Sequence, residues 1–227
     1  MTWESEAQAL ELSRSFRALD ERGRGNNAIK DQVTSRMRDI EIKPATFREQ
    51  ISYLVRRSRL HPSDPLYRLM MRVSVAGDKA LRRARNIWDE LERGRGKIKV
   101  ERGLHRSEHL YRIESGVATA DWTPIQPLTE LFTDHDKLKD LTGDWIFEHD
   151  RLDVALRKEQ NELSQRLRDA VSMDDEVFRL ATELQLWIQE FQRWLDAAER
   201  FYMNRVYRLD GDYKVNMHAL EDSQPLF

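Results

Sequence analysis

The sequence predicts a mainly α protein: a multi-helix bundle with a long antiparallel C-terminal helical hairpin and one small β-hairpin insertion. Three observations lead there. The 227 residues include only 9 Gly and 6 Pro, too few for the turns of a strand-rich fold. Leu, Arg and Glu, all good helix formers, dominate the long segments. Apolar residues recur four and three apart from Leu66 to Leu91 and again from Val177 to Leu209, the seam of helices packed lengthwise.

Residues 1–96 read as a basic helical region. Thr2 caps a first helix that runs to about Arg22, with Trp3, Ala7, Leu10, Phe16 and Leu19 on its apolar face. A second helix starts at Asn26 or Asn27, carries Ile29, Val33, Met37 and Ile40, and breaks at Lys43 and Pro44. Thr46 and Glu49 spell a capping box that opens a third, with Ile51, Leu54 and Val55 inward. After "HPSDP" one helix spans about 65 to 93, because Gly77 continues the register of Leu66, Met70, Val73, Ala80, Ala84, Ile87 and Leu91. Its central seam residues are small, so another backbone is expected to approach closely there.

"ERGRG" occurs twice, at 21–25 and 92–96, each time where a helical pattern ends. Gly23 and Gly94 are thus placed to adopt the left-handed C-cap conformation, with arginines against the negative end of the helix dipole. Residues 97–126 read as a β-hairpin and linker, since "KIKVER" and "HLYRIES" alternate polar with β-branched or aromatic residues around Gly103 and Gly116. Residues 127–209 form an acidic helical hairpin or bundle. Its first long helix covers about 144–171 with Trp145, His149, Leu152, Leu156, Leu163 and Leu167 on the seam. Its second is capped by Ser172. A second stripe on that helix, Leu180, Trp187, Trp194 and Phe201, repeats every seven residues and needs a further wall. Trp187, Trp194 and Phe201 are therefore the expected partner interface. Residues 210–227 read as a flexible tail.

Charge narrows the function. The formal net charge of −2 conceals +8 over residues 1–110 and −10 over 111–227, an asymmetry that points to an anionic partner for the basic half. Residues 46–106 hold 16 Lys+Arg against 7 acids. Arg48, Arg56, Arg57, Arg59, Arg82, Arg83, Arg85, Arg95, Lys97 and Lys99 are the expected contacts to a DNA or RNA phosphate backbone. The competing expectation is that these bases are neutralised by the acidic C-terminal helices. Residues 27–60, an apolar helix, a break and a Thr-capped helix with Phe47, Ile51 and Leu54, resemble a helix-turn-helix of the winged-helix type. That resemblance implies Arg48, Gln50, Tyr53, Arg56 and Arg57 near DNA.

Catalytic templates are scarce. The chain has no cysteine, which excludes disulfides, thiolate metal sites and Cys nucleophiles. No phosphate loop, dinucleotide fingerprint or nucleophile elbow occurs. "HRSEH" at 105–109 spells the inverted zinc-peptidase motif, which requires a helix and a third ligand. His149, on a seam, reads as a satisfied core histidine. No signal peptide or membrane span is legible, so a cytoplasmic protein is expected. The sequence thus favours a non-enzymatic, nucleic-acid-associated helical protein without cofactor or metal, its C-terminal hairpin mediating assembly with itself or another protein. The alternatives are a structural or adaptor subunit of a multiprotein particle, such as a virion component or a helical subunit of a nucleoprotein effector, with no direct nucleic-acid role, and a zinc hydrolase acting through "HRSEH".

Overall fold

A computed structural model describes residues 3–115, 128–169 and 173–222. It is an all-α helical bundle with no strand among the described residues. Helix α1 spans Trp3–Arg56, α2 Pro65–Ser115, α3 Leu128–Arg168 and α4 Asp175–Tyr202. A π-helical segment, Met203–Asp210, continues α4 into α5, Gly211–Asp222.

The expected three helices of the N-terminal 56 residues are a single helix. Leu12, Phe16, Leu19, Gly23, Asn26, Val33, Met37, Ile40, Pro44, Phe47, Ile51 and Leu54 are all buried. With Lys30 filling the one gap, they fall four and three apart throughout. A continuous heptad seam gives every turn a buried face, and that outweighs the local breakers. Thr46 is therefore no cap: its hydroxyl donates back to the Ile42 carbonyl at 3.3 Å. The end of α1 lies at Ser58, which takes φ 55°. There the amides of Ser58 and Arg59 donate to the carbonyls of Val55 and Leu54 at 3.0 Å, a Schellman closure built on serine rather than glycine.

The same reason corrects two further expectations. Neither Gly23 nor Gly94 caps a helix, since α1 and α2 run through both "ERGRG" copies. The β-hairpin is also absent where it can be judged: residues 97–115 are helical and continue α2, whose seam passes from Leu91 to the buried Arg95. Residues 116–126 of that expected insertion lie outside the described residues, as do Thr2 and Ser172. Helix α2 begins at Pro65, with the Asp64 carboxylate accepting from the Leu66 amide at 2.8 Å. Helix α4 is capped by Asp174, which accepts from Glu176 and Val177 at 3.0 and 3.4 Å. Residues 211–222, expected to be tail, form α5 with Tyr213 and Met217 buried.

Packing divides the chain into two compact units. One combines Met1–Ile29, Asp89–Asp144 and Phe201–Phe227, the other Lys30–Trp88 and Trp145–Arg200. In the second unit, α3 and α4 are joined by hydrogen bonds from Gln185 to Ser164 and from Gln192 to Asp153, both 2.8 Å. Its core is built around Trp187. The indole lies against Gly77 of α2, where a Cβ would fall 2.3 and 2.4 Å from Cη2 and Cζ3 of the ring. Its N–H donates to the Ile40 carbonyl of α1 at 3.1 Å. Proline at 44 has no N–H for that carbonyl one turn earlier, so the tryptophan supplies the missing donor. Ser74, fully buried, donates to the Pro44 carbonyl at 3.0 Å. The kink-prone position is thus held from two sides.

In the first unit, Gly23 admits the Arg205 guanidinium and the Leu209 side chain, 3.4 and 3.8 Å from where its Cβ would be. Arg205 and Asp210, both buried in the π-helical segment, approach to 3.4 Å. Tyr213 of α5 donates to Asp20 of α1, and its ring lies 6.3 Å from that of Phe16.

Candidate functional site

The basic residues singled out in the sequence do not form one open track. Arg48 and Arg82 share Asp78, at 3.3 and 3.0 Å. Arg85 pairs with Glu41 of α1 at 2.6 Å. Three meet acids of the C-terminal half: Arg59 with Asp174 at 2.7 Å, Arg83 with Glu148 at 3.4 Å, and Lys97 with Asp134 at 2.6 Å. Arg72, which sequence reasoning did not select, grips both Glu159 and Glu162 of α3. Arg95 is buried on the α2 seam and holds Glu92 in a bidentate pair at 2.9 and 2.8 Å, while Tyr202 donates to the same carboxylate at 3.1 Å. Burial and that anionic neighbour push the Tyr202 hydroxyl far above its ordinary range.

Seven of the ten bases thus have an acidic partner within the same chain. Arg56, the last residue of α1, and Arg57 just after it are exposed, and the Arg57 guanidinium lies 5.1 Å from the centre of the Tyr53 ring. Lys99 lines a cavity of about 290 Å³ in the first unit together with Arg24, Asn27, Arg205, Asp20 and Tyr213. The helix-turn-helix resemblance finds no turn: residues 43–45 are helical and Pro44 is buried within α1.

The tryptophan stripe is likewise used internally. Trp187, Trp194 and Phe201 are each 1 % exposed. The Trp194 N–H donates to the Val33 carbonyl of α1 at 2.9 Å, and its ring lies 5.9 Å from that of Trp88. The wall that the stripe needs comes from α1 and α2 of its own chain. At "HRSEH", the backbone of 105–109 is helical, as a zinc motif of that kind would need; the side chains lie outside the described residues.

The exposed ion pairs set the acid response. The Arg59 hydrogen bond holds the Asp174 carboxyl below its ordinary value of 3.8, and Lys97 does the same for Asp134. Carboxylates depressed in the folded state stabilise it above the unfolded value and lose that contribution as pH falls through the folded value. Stability should therefore decline from about pH 4 downwards. An Asp134→Asn, Asp174→Asn chain should show a shallower decline in urea midpoints between pH 4 and 2, because asparagine keeps the α4 cap but removes the titration.

No protein-family model, curated protein or solved structure matches this chain. No helix among the described residues is long and apolar enough to cross a membrane.

Proposed function

We propose that this chain is a non-enzymatic helical adaptor or structural subunit of a larger assembly in the cytoplasm, with the antiparallel hairpin of α3 and α4 as its assembly element. The observation that supports this reading is the pairing of the arginines within the chain: a phosphate-tracking surface requires an excess of unmatched positive charge, and most of the selected cations, although several are solvent-exposed, have an acid of their own chain within ion-pair distance. Helices α3 and α4 also leave large apolar side chains in solvent. Phe147 and Val154, seven residues apart on α3, are 67 % and 68 % exposed, and Phe178 and Leu186 on α4 about half exposed. Side chains of this kind supply the apolar centre of protein interfaces.

A reduced nucleic-acid reading is favoured by one observation. Arg56 and Arg57 have no acidic partner among the described residues, and Tyr53 offers a ring for stacking beside them. One pair of measurements separates the two. Multi-angle light scattering should show concentration-dependent association that is unchanged by a single-stranded oligonucleotide and is lost in Phe147→Ser, Val154→Ser. Assembly that appears only with the oligonucleotide, and is abolished by Arg56→Glu, Arg57→Glu in a gel-shift titration, would return the function to phosphate binding.

A further inference from the structure

His149 is the seam residue that the packing of the second unit leaves unexplained. Its side chain is 5 % exposed, and its ring stacks on that of Trp145, with centroids 5.7 Å apart and planes 17° from parallel. Neither ring nitrogen has a hydrogen-bond partner among the described residues, although a buried polar group left so costs about 1–3 kcal/mol. Carboxylates are nonetheless close. Nδ1 lies 2.8 Å from Oε2 of Glu199 and 3.6 Å from Oδ1 of Asp150, while Nε2 lies 3.7 Å from Oδ1 of Asp196. The approach of Glu199 is short, yet it lacks the alignment of an N–H donating to oxygen.

The surrounding acids differ from several others on the same helices. Glu148 is matched by Arg83 and Arg151, Asp153 by Arg157, and Glu159 and Glu162 by Arg72. The carboxylates of Asp150, Asp196 and Glu199 have no Lys or Arg within ion-pair distance among the described residues; the basic side chain they approach there is His149. Negative charge is thus concentrated around one buried imidazole that lacks a directed bond.

We propose that His149, Asp150 and Glu199 bind one divalent first-row transition-metal ion of the zinc or manganese class, pinning α3 to α4. One ligand atom from each residue falls within 4.8 Å of the other two. Metal bonds of roughly 2.0–2.2 Å place tetrahedral ligands about 3.4 Å apart, so a modest rotation of the exposed Asp150 completes the set. A mixed imidazole and carboxylate donor set suits these ions better than calcium or magnesium, which take oxygen alone. Asp196 lies 3.7 Å from the other ring nitrogen, where a small approach on metal binding would let it accept from Nε2–H and leave the Nδ1 lone pair for the metal, as outer carboxylates do at histidine-bound metals.

The test uses the full chain after chelator treatment, titrated with zinc chloride and separately with manganese chloride by calorimetry, with thermal unfolding alongside. One equivalent should bind and raise Tm. His149→Gln and Glu199→Gln should each weaken binding at least tenfold and remove the Tm shift, and cobalt substituted at the site should show a visible absorption band that the Glu199→Gln chain lacks. The partly exposed Glu199 keeps the test decisive if the His149 variant does not fold. Absence of binding tighter than about 100 µM overturns the proposal. So does stoichiometric binding that survives Glu199→Gln unchanged, which would place the metal elsewhere, for instance at "HRSEH".

Discussion

Gly77→Ala is expected to destabilise the protein by about 1–3 kcal/mol or more, the range for forcing a methyl into a filled core. At roughly 2–4 °C per kcal/mol for a protein of this size, the fall in Tm is easily read. The new Cβ would fall 2.3 Å from the Trp187 ring, and the ring has little freedom to retreat. Its N–H is held by the Ile40 carbonyl, and Phe47 and Phe191 flank it with centroids 6.0 and 5.9 Å away. Two other glycines serve as controls. Gly94→Ala meets only the tip of Leu138 at 3.2 Å, and Gly25→Ala meets nothing within 4 Å, so the first should be mild and the second should stabilise by about 0.5–1 kcal/mol through helix propensity. Denaturation midpoints for the three variants check the order. An unaltered Gly77→Ala chain would mean that Trp187 does not rest on α2.

Trp187→Phe should also be costly, and for a reason that a second substitution can isolate. It removes ring volume and leaves the Ile40 carbonyl without its donor, a loss of about 1–3 kcal/mol for the unpaired group alone. Pro44→Ala restores a backbone N–H one turn along the helix, directed at the same carbonyl. In the Trp187→Phe background it should recover a substantial part of the loss, and in the native background distinctly less, because the acceptor is already satisfied there. The double-mutant cycle should therefore show a coupling of about 0.5–3 kcal/mol. Strict additivity would show that the indole is not standing in for the absent amide.

What could be read in the sequence was periodicity, and what misled was punctuation. The α2 seam from Leu66 to Leu91, with Gly77 in register, and the long seam of α4 both came directly from spacing. The local stop signals Gly23 and Pro44 point to breaks that do not occur, because Leu12, Phe16, Leu19 and Gly23 through to Leu54 keep one register across them, and α2 likewise runs through Gly94. A local breaker costs about 1–3 kcal/mol, whereas each heptad that continues buries several apolar side chains. The small residue at 77 did signal a close approach, but the occupant is an indole rather than a backbone, which spacing alone cannot distinguish. The arginines of α1 and α2 were legible as an excess, while their pairing depends on which helices become neighbours. The acids around His149 were hidden for the same reason: Asp196 and Glu199 lie one turn apart on α4, and only the approach of α3 brings them to the ring.

The π-helical stretch between α4 and α5 acts as a phase shift. By fitting an additional residue into its turns, it lets α5 start from a different angular position than an uninterrupted α-helix would give it. At 3.6 residues per turn each residue is about 100° of rotation, so a change of one residue in this segment would swing the buried side chains of Tyr213 and Met217 well away from their present direction. Loss of the exposed Asn204 would redirect both of them while sparing the buried Arg205, Val206, Leu209 and Asp210 of the segment, which makes chain length at this point as much a part of the fold as composition.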